Sequence, residues 1–484
     1  MVSTGIENAV LNGLVTGSFI ALGAIGLSLV YNIADVPNFA HGELLMIGAY
    51  MGFVVNSPGD VPLLGRLAGQ GSSVTAGVMV VLFVLTAAAA LGVVVVLGGT
   101  TALQGGWWPL DPPPAVAVAV HVLAAVGLGA FVAVAAPSIW AGIVFATLLL
   151  AFVGPLFDRY IFSKFREEGA ALATILMATM GLAFVLRFTM QAYFGGTIRS
   201  YDIQQTADIF GFTIDFSQAK FLDLFVTGDG LVIRLINTVP DPAVTQFLGA
   251  YSWPIVAGIV LVSAAVGYGL YRWRGAGVGE NEAAQTIGPR IVGTVSAVVT
   301  FLALIAVLPS AATAPEAGSA AYASRIRTSI IRLAIVVLTL VLMTALHVLL
   351  RETKLGKAMR AASDNLDLAK VTGIDTGRVM MVTWIIAGGF AAIAGIIIGI
   401  LFFKIVPSMG FFRLLPIFAA VILGGLASVY GAMVGAFAVG LAMEVGFFGI
   451  NFVTPVSGVH RISLAFVLLL VVLLVKPEGI IGGR

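Results

Sequence analysis

Three polar side chains stand close together at the start of an apolar segment, and their chemistry suits the handling of a polar solute. Asn38, His41 and Glu43 lie in the stretch NFAHGE, directly before and inside a run of apolar residues. An amide, an imidazole and a carboxylate are unfavourable in hydrocarbon unless they are paired or face a polar cavity. The pattern therefore indicates either a capped helix end with satisfied interfacial side chains or the polar lining of a translocation route.

Further ionisable residues occur in other long apolar runs. Together with His41 and Glu43, the candidates are Arg187, His347 and Glu444. Such residues could couple transport to a flow of ions or protons, so an ion-coupled secondary transporter is one function class that the residues leave open. For Arg187 we expect the long side chain to extend out of the apolar run toward Gly195.

The longest charge-dense stretch, residues 351–378, contains six of the 25 lysines and arginines. Apolar residues recur in it at helical spacing, opposite the charges; they are Leu355, Ala358, Met359, Ala362, Leu366 and Ala369. We expect two short amphipathic helices, the second capped by Asp364 and ended by Gly373, whose apolar stripe docks on a partner. The alternative is a solvated loop that only sets topology by its positive charge.

The composition restricts the elements that can position these residues. Hydrophobic residues make up 60% and charged residues 10% of the 484 residues, and the mean hydropathy is +1.07. Apolar runs of about twenty residues predict membrane-spanning helices, and their continuous Leu, Val, Ala and Ile content argues against a barrel of alternating strands. The predicted fold is an all-α polytopic protein of a cell membrane.

Several kinds of chemistry have no support in the sequence. The chain contains no cysteine, which excludes disulfides, thiol catalysis and cysteine-bound metals. Its one Gly-Lys pair, Gly356-Lys357, is followed by alanine, so no nucleotide-binding P-loop is present. No His, Asp or Glu motif has the spacing of metal ligands. We therefore expect no enzyme activity, catalytic residue, metal or cofactor, and no nucleic-acid partner.

The apolar runs predict twelve or thirteen membrane crossings. The run from Ala115 to Phe157 is too long for one crossing, so we divide it near Pro137. In the Gly-rich run Leu415–Gly446, turn residues around Gly424-Gly425 could produce two half-helices. Only the count of thirteen places both residues 351–378 and the basic C-terminal end on the cytoplasmic side.

The remaining predicted spans follow from hydropathy alone. They are Asn8–Val30, Phe39–Val55, Val74–Gly98, Ala171–Phe194, Pro254–Tyr271, Ile291–Ala314, Thr328–Leu350, Val379–Phe403 and Ile462–Val475. The polar segment Gly195–Trp253 carries six aspartates against three basic residues, so we expect it outside the cytoplasm.

Four blocks of sequence resemble a known family. They are GLSLVYNIADVPNFAHGELLMIGAY (Gly26–Tyr50), TILMATMGLAFVLRFTMQAYFG (Thr174–Gly195), TKLGKAMRAASDNLDLAKVTGID (Thr353–Asp375) and FAAVILGGLASVYGAMVGAFAVGLAMEVG (Phe418–Gly446). With their flanking spans, these blocks cover well over half of the chain and resemble LivH-like permease subunits of ABC importers for branched-chain, hydrophobic amino acids. Permeases of urea and amide importers are related to this class.

The resemblance implies a single transmembrane permease domain over residues 1–484 that forms a translocation pathway. The implied substrate is a branched-chain or other hydrophobic amino acid, with urea or a short amide as the alternative. The implied partners are a homologous second permease subunit, two ABC ATPase subunits, an extracytoplasmic substrate-binding protein and the lipid bilayer. The implied pathway residues are Asn38, His41, Glu43 and Glu444.

The resemblance also implies a role for residues 351–378. Importer permeases of this kind dock a cytoplasmic helix of EAA-x-x-x-G type in a groove of the ATPase, and Asp367–Gly373 looks like a degenerate version of it. The implied coupling residues are Gly356, Asp367, Ala369, Gly373 and Ile374. An ion-coupled secondary transporter would not need such a segment.

Parts of the chain depart from the family pattern. Residues from about 57 to 137 and from about 202 to 324 have no counterpart in it, and each would add two spans with their loops. Because an even number of added spans preserves the sidedness of everything downstream, we expect both segments to be peripheral insertions. The family also tends to have a neutral polar residue where Arg187 stands.

Overall fold

A computed structural model of the chain describes most of its residues. The described residues are 5–34, 38–68, 74–98, 113–203, 206–209, 212–215, 220–226, 230–237, 244–276, 293, 296–297, 300–301, 304, 324–426, 428–455, 457–475 and 479–480. The chain divides into two compact units. The smaller unit contains Met1–Leu11 and Gln204–Lys357, and the larger contains Asn12–Ile203 and Ala358–Arg484.

The described helices follow one another along the chain and are numbered here in that order. They are α1 (Ile6–Ala34), α2 (His41–Asn56), α3 (Gly65–Ala68), α4 (Ala76–Val96), α5 (Pro114–Ala135), α6 (Ile139–Phe157), α7 (Ser163–Glu167), α8 (Leu172–Phe194), α9 (Trp253–Ala276), α10 (Ile330–Glu352), α11 (Lys354–Asp364), α12 (Leu366–Val371), α13 (Thr376–Phe402), α14 (Met409–Gly424), α15 (Val429–Val453) and α16 (Arg461–Val475). A π-helical turn, Asp158–Phe162, joins α6 to α7.

The predicted all-α polytopic membrane fold is confirmed. Within the described ranges, nine helices are long and apolar enough to cross a membrane, and α14 and α16 are apolar but shorter. The chain is therefore a multi-pass protein of the cell membrane. The predicted span Ile291–Ala314 lies largely outside the described residues.

Both predicted breaks within long apolar runs are present. The helix α5 ends at Ala135, and α6 begins at Ile139, where the Ser138 hydroxyl accepts a hydrogen bond from the Trp140 amide. The Gly-rich run is also divided, since α14 ends at Gly424 and α15 begins after Ser428. Turn and capping residues therefore located these helix ends correctly.

The core of the larger unit is formed by α2, α6 and α13, which pack against one another. Small residues allow their backbones to approach closely. A Cβ atom added to Gly48 of α2 would lie 2.5 Å from the Cα atom of Ala392, and one added to Gly142 of α6 would lie 2.8 Å from the carbonyl oxygen of Gly52. Without a hydrophobic driving force between helices in lipid, such close van der Waals packing is what holds them together.

The smaller unit contains β-structure that the sequence analysis did not predict. Its strands are β1 (Thr206–Ile209), β2 (Phe212–Asp215), β3 (Lys220–Val226), β4 (Gly230–Asn237), β5 (Val244–Ser252) and β6 (Ser324–Ser329). The strands β5, β4, β3 and β6 form one antiparallel sheet in that order, and β1 and β2 pair separately. The segment was interpreted only by its acidic charge, although β3 (KFLDLFV) and β4 (GLVIRLIN) are short apolar runs rich in aromatic and β-branched residues, as buried strands often are.

Candidate functional site

The start of α2 carries three polar side chains that are almost entirely buried. Asn38, His41 and Glu43 expose 1%, 0% and 1% of their surface. The residue that caps α2 is Ala40, which makes no side-chain capping bond, and neither polar side-chain atom of Asn38 has a partner in the described part of the chain. The interpretation of Asn38 as a helix cap is therefore wrong, and its amide is available to another group.

The His41 ring is held against α1. Its Nε2 atom lies 2.9 Å from the carbonyl oxygen of Gly23, and its Cε1 atom would lie 2.8 Å from a Cβ atom added to Gly26. The other ring nitrogen, Nδ1, is buried and has no hydrogen-bond partner among the described residues. Because a carbonyl oxygen only accepts, Nε2 is the donor, and His41 is a packed residue whose Nδ1 atom remains free to accept a hydrogen bond in the neutral ring.

Glu43 forms an ion pair with Arg187 of α8. The Glu43 Oε1 atom accepts hydrogen bonds from Arg187 Nε, at 3.1 Å, and from Arg187 Nη2. The guanidinium lies over the ring of Phe411, 4.8 Å from its centroid, and 5.6 Å from that of Phe184. The expectation that Arg187 extends toward Gly195 is wrong, because pairing with a buried carboxylate satisfies its charge within the protein.

The N-termini of α2 and α14 meet beside this pair. A Cβ atom added to Gly42 of α2 would lie 2.7 Å from the carbonyl oxygen of Gly410, and Gly410 is the second residue of α14. Glu43 lies in the first turn of α2. Because free amide groups at helix N-termini favour negative charge, this position stabilises a carboxylate in addition to the Arg187 partner.

The loop after α8 holds the opposite end of α2. Asn56 donates a hydrogen bond of 2.9 Å to the carbonyl oxygen of Asp202 and accepts one of 2.9 Å from the Asp202 amide. The Tyr201 hydroxyl donates a bond of 2.7 Å to the carbonyl oxygen of Ala49. Burial raises the pKa of Tyr201 well above its usual range, so this hydroxyl keeps its proton. These contacts fix α2 along its length.

Glu444, in the middle of α15, belongs to a second cluster. Its Oε1 atom accepts a hydrogen bond of 3.2 Å from the Thr16 hydroxyl, and its Oε2 atom lies 3.3 Å from Nη1 of Arg461. Arg413 of α14 also acts on Glu444 electrostatically, and its guanidinium lies 3.8 Å from the ring centroid of Phe402. Among the described residues, no hydrogen bond or ion pair joins this cluster to Glu43.

Three members of this second cluster were missed by the sequence analysis. Thr16, Arg413 and Arg461 stand in or next to apolar runs, and the two arginines are costly there unless paired. That rule could have identified Arg413 and Arg461 as functional or paired residues. It could not have identified Thr16, because a threonine is unremarkable in a membrane helix.

The expected short helices of the 351–378 segment are present as α11 and α12, but their apolar stripe faces inward. Met359, Ala362 and Ala369 expose 1%, 3% and 3% of their surface. Exposure is instead high at Leu368 and Val371 of α12, at 61% and 85%. The expectation that Ala369 lies on a free docking surface is therefore wrong, because its side chain is buried within the chain, where α12 also contacts α13.

The ends of α12 are fixed by local hydrogen bonds. The cap at its start is Asn365, whose Oδ1 atom accepts a bond of 2.8 Å from the Leu368 amide, so the expected cap Asp364 is wrong by one residue. At its end, Gly373 has a φ of +86°, and the Ile374 amide donates to the carbonyl oxygen of Ala369. Gly373 therefore ends this helix in a left-handed turn, as predicted.

The other expected coupling residues differ in their surroundings. The Asp367 side chain is 93% exposed and lies 3.7 Å from Lys370. Ile374 is half-buried, whereas Gly356 is buried and its amide donates a bond of 3.0 Å to the Thr353 hydroxyl. Asp367 and Gly373 are thus accessible to a partner, and Gly356 is a structural residue of the smaller unit.

Comparison with known proteins agrees with this description. A family described as the branched-chain amino acid transport system permease component matches residues 242–475. The high-affinity branched-chain amino acid transport system permease protein LivH of Escherichia coli is 34% identical over 147 residues, which are 30% of this chain and 46% of LivH. Permease BraD of the corresponding high-affinity system of Pseudomonas aeruginosa is 27% identical over 154 residues, which are 32% and 48% of the two chains.

An archaeal protein is also similar. The probable branched-chain amino acid transport permease protein LivH of Methanocaldococcus jannaschii is 40% identical over 85 residues, which are 17% of this chain and 26% of that protein. The chain spans about half the length of the LivH and BraD relatives that it matches. No solved structure matches it. The predicted resemblance to LivH-like permeases is confirmed.

Proposed function

We propose that this chain is the transmembrane permease subunit of an ATP-driven ABC importer for branched-chain or other hydrophobic amino acids. The match of residues 242–475 to the permease component of branched-chain amino acid transport systems carries the proposal. The relatives LivH and BraD are both named for branched-chain amino acids, which favours this substrate class over urea and short amides. The described apolar helices are consistent with a pathway across the membrane.

The translocation route passes the polar atoms at the start of α2. Asn38, His41 and Glu43 each keep at least one buried polar atom without a partner in the described part of the chain. Such atoms are unfavourable in a packed apolar interior and favourable where a polar solute passes. Glu444 supplies a second polar position on the route, with Thr16 and Arg461 as its resting partners.

The ATPase-docking surface consists of Leu368 and Val371 on α12, followed by the turn at Gly373. These two side chains are the exposed apolar residues of a short helix whose other residues are polar, half-buried or buried. A groove of an ABC ATPase subunit is the occupant that the family resemblance implies for a helix of this kind. The ATPase supplies the hydrolysis of ATP, for which this chain has no P-loop.

Two ATPase subunits, a homologous second permease and an extracytoplasmic substrate-binding protein complete the importer. Exposure of apolar surface supports contacts with lipid and with a second permease. Of the 18-residue apolar stretch within α8, only 17% is buried inside the chain, whereas 72% of the corresponding stretch of α13 is buried. Lipid and a partner subunit are the two environments that accept such a surface in a membrane.

The segments 57–137 and 202–324 are peripheral insertions in this permease domain. In the first segment, only 28% and 22% of the 18-residue apolar stretches within α4 and α5 are buried inside the chain. This segment also lies wholly before residues 242–475, which the permease family matches. The second contains β1–β5 and α9; its residues 242–324 lie within the matched range, so only residues 202–241 of it lie outside the family match. Neither segment supplies Asn38, Glu43 or Glu444 to the proposed route.

Reconstitution of the importer tests the proposed function. The tagged chain is purified from its native cells with its associated subunits and placed in proteoliposomes with the substrate-binding protein. We expect co-purification of an ABC ATPase and ATP-dependent uptake of labelled leucine, with competition by valine and isoleucine. Uptake by this chain alone, driven by a proton or sodium gradient, would contradict the importer. Competition by urea without competition by valine would contradict the substrate class.

A further inference from the structure

The Glu43–Arg187 pair is incomplete in its hydrogen bonding. Both bonds from Arg187 reach the same oxygen, Glu43 Oε1, so the pair is not the two-oxygen arrangement that arginine and carboxylate groups favour. Glu43 Oε2 is buried and has no hydrogen-bond partner in the ranges that the structure describes. A buried carboxylate oxygen without a partner is costly, so the site retains the capacity to bind a further donor.

The guanidinium has a corresponding capacity for an acceptor. Arg187 uses Nε and Nη2 for Glu43, and its Nη1 atom makes no hydrogen bond to a described residue. The Arg187 side chain is 14% exposed, in contrast to 1% for Glu43, so the guanidinium is the accessible part of the pair. The N-termini of α2 and α14 lie beside it and favour an additional negative group.

The surroundings of this accessible edge are apolar. The rings of Phe184 and Phe411 lie beside the guanidinium, and they contact Phe188 and Phe412, with centroids 6.2 Å and 5.9 Å apart. All four phenylalanines expose between 40% and 59% of their surface. The site therefore combines an accessible cation, a buried carboxylate oxygen without a partner among the described residues and an apolar wall.

We propose that the Glu43–Arg187 pair binds the two charged groups of a zwitterionic amino acid, with the substrate carboxylate on Arg187 and the substrate ammonium on Glu43. The exposed phenylalanines receive the aliphatic side chain. A zwitterion that enters an apolar route loses water at both charges, and a preformed pair offers each charge an opposite partner. The exchange of partners leaves the net charge of the site unchanged.

This inference rests on the proposed permease function and narrows its substrate class. Urea and short amides carry no charge to exchange with the pair, so the site discriminates against them. The competing explanation is that the pair only ties α8 to α2 and never contacts substrate. In that case substrates lacking one of the two charges would bind the permease as well as the zwitterion does.

Competitive binding to the assembled complex separates these explanations without any variant. Binding of labelled leucine is measured on the permease–ATPase complex in nanodiscs with no binding protein present, because that protein makes its own selection. We expect valine to compete, and leucinamide, which lacks the carboxylate, and isocaproate, which lacks the ammonium, to compete at least tenfold more weakly. The inference would be overturned if valine, leucinamide and isocaproate competed equally well. It would also be overturned if a complex that transports leucine showed no binding of labelled leucine.

Variants test the two residues directly. Arg187→Gln and Glu43→Gln should each weaken leucine binding by about 10- to 100-fold, since each removes a charge-assisted bond to substrate. The exchanged pair, Glu43→Arg with Arg187→Glu, should recover part of the loss. Arg166→Gln is the matched control, because Arg166 pairs with buried Asp158 at 2.7 Å outside this site.

The outcomes for the two proposals differ. If the wild-type importer shows ATP-dependent leucine uptake but both glutamine variants bind leucine as the wild type does, the pair is structural and the inference fails while the permease function stands. If the wild-type complex transports no amino acid, the proposed function itself fails. Loss of leucine binding in Arg166→Gln as large as in Arg187→Gln would show a general effect on the bundle and would also overturn the inference.

Discussion

Gly395 of α13 lies directly against the carbonyl oxygen of Leu45 in α2, with no room for a side chain between the two backbones. The same crossing brings Gly48 of α2 against Ala392 one turn away. Since His41 and Glu43 lie in the first turn of α2 and Asn38 shortly precedes it, this backbone contact sets the position of the proposed binding residues. Packing of small residues at one helix crossing thus determines where the polar groups of the route lie.

Gly395→Ala should destabilise the protein. The added methyl group would collide with the Leu45 carbonyl, and overpacking of a tight core typically costs about 1–3 kcal/mol. Thermal unfolding of the purified protein in detergent should show a lower midpoint. Gly181→Ala in α8 is the matched control, because its Cβ atom would meet nothing within 4 Å. Equal midpoints for the two variants would contradict this account of the crossing.

Asp223→Asn should loosen the sheet of the smaller unit. Asp223 is fully buried on β3, pairs in register with Arg234 and Arg327 on the neighbouring strands, and lies 3.6 Å from Arg327 Nε. Because the Arg327 side chain is 41% exposed and solvent screens the contact, losing the Asp223 charge should cost at most about 1.5 kcal/mol. Hydrogen exchange of β3, β4 and β6 should become faster.

An exposed ion pair provides the control for Asp223→Asn. Asp367→Asn changes a carboxylate whose side chain is 93% exposed and lies 3.7 Å from Lys370. Exposed ion pairs of this kind contribute little to stability, so hydrogen exchange throughout the chain should be the same in Asp367→Asn as in the wild type. If Asp223→Asn leaves hydrogen exchange of the three strands unchanged as well, the buried Asp223 carboxylate has no stabilising role in the sheet.

Leu368→Ser combined with Val371→Ser should uncouple the permease from its ATPase. Both side chains are exposed, so the change removes apolar docking surface without disturbing the buried stripe at Ala369. We expect normal membrane insertion, with loss of both leucine uptake and the stimulation of ATP hydrolysis by loaded binding protein. The measurements are uptake and phosphate release in proteoliposomes.

The control for the docking surface is Lys370→Ser on the same helix. It removes a positive charge and leaves both apolar side chains in place. If residues 351–378 only set topology by charge, Lys370→Ser should impair the protein more than the double serine variant. Normal coupling in the double variant would reject the proposed surface.

Gly373→Ala should weaken coupling through the backbone alone. Gly373 has a φ of +86°, and a Cβ atom there would contact nothing within 4 Å. The only expected destabilisation of the turn is therefore backbone strain of about 1 kcal/mol. The turn after α12 should become less populated, and ATPase stimulation should fall in part. Gly377→Ala, four residues later and without a positive φ, should behave as the wild type. Full stimulation in Gly373→Ala would show that this turn does not matter for coupling.

Removal of residues 74–136 should leave transport in place. This deletion takes out α4 and α5 and retains Asp60, whose carbonyl oxygen accepts a bond of 2.9 Å from Arg199. A flexible Gly/Ser linker joins the ends. We expect reduced but measurable leucine uptake by the assembled importer. Complete loss of uptake by a stable, assembled variant would show that the segment forms part of the route.

The sequence by itself determined the membrane helices and many of their ends. Backbone groups in lipid must be satisfied within the chain, so a long apolar run becomes a helix whatever its partners are. Pro137 and Gly424-Gly425 interrupted such runs where the structure interrupts them, and Gly373 ends α12 as its conformational freedom predicts. These features depend on residues that lie within a few positions of one another in the sequence. A pattern read along the chain is therefore sufficient to predict them.

The tertiary structure alone decided which polar groups meet. Arg187 and Glu43 are 144 positions apart, and β6 joins β3 across about a hundred residues, so neither pairing leaves a local pattern. Helical spacing showed that Ala369 belongs to an apolar stripe, but not that this stripe would be buried within the chain itself. A side chain's own chemistry sets how strongly it needs a partner, whereas the packing of distant segments decides which partner it obtains.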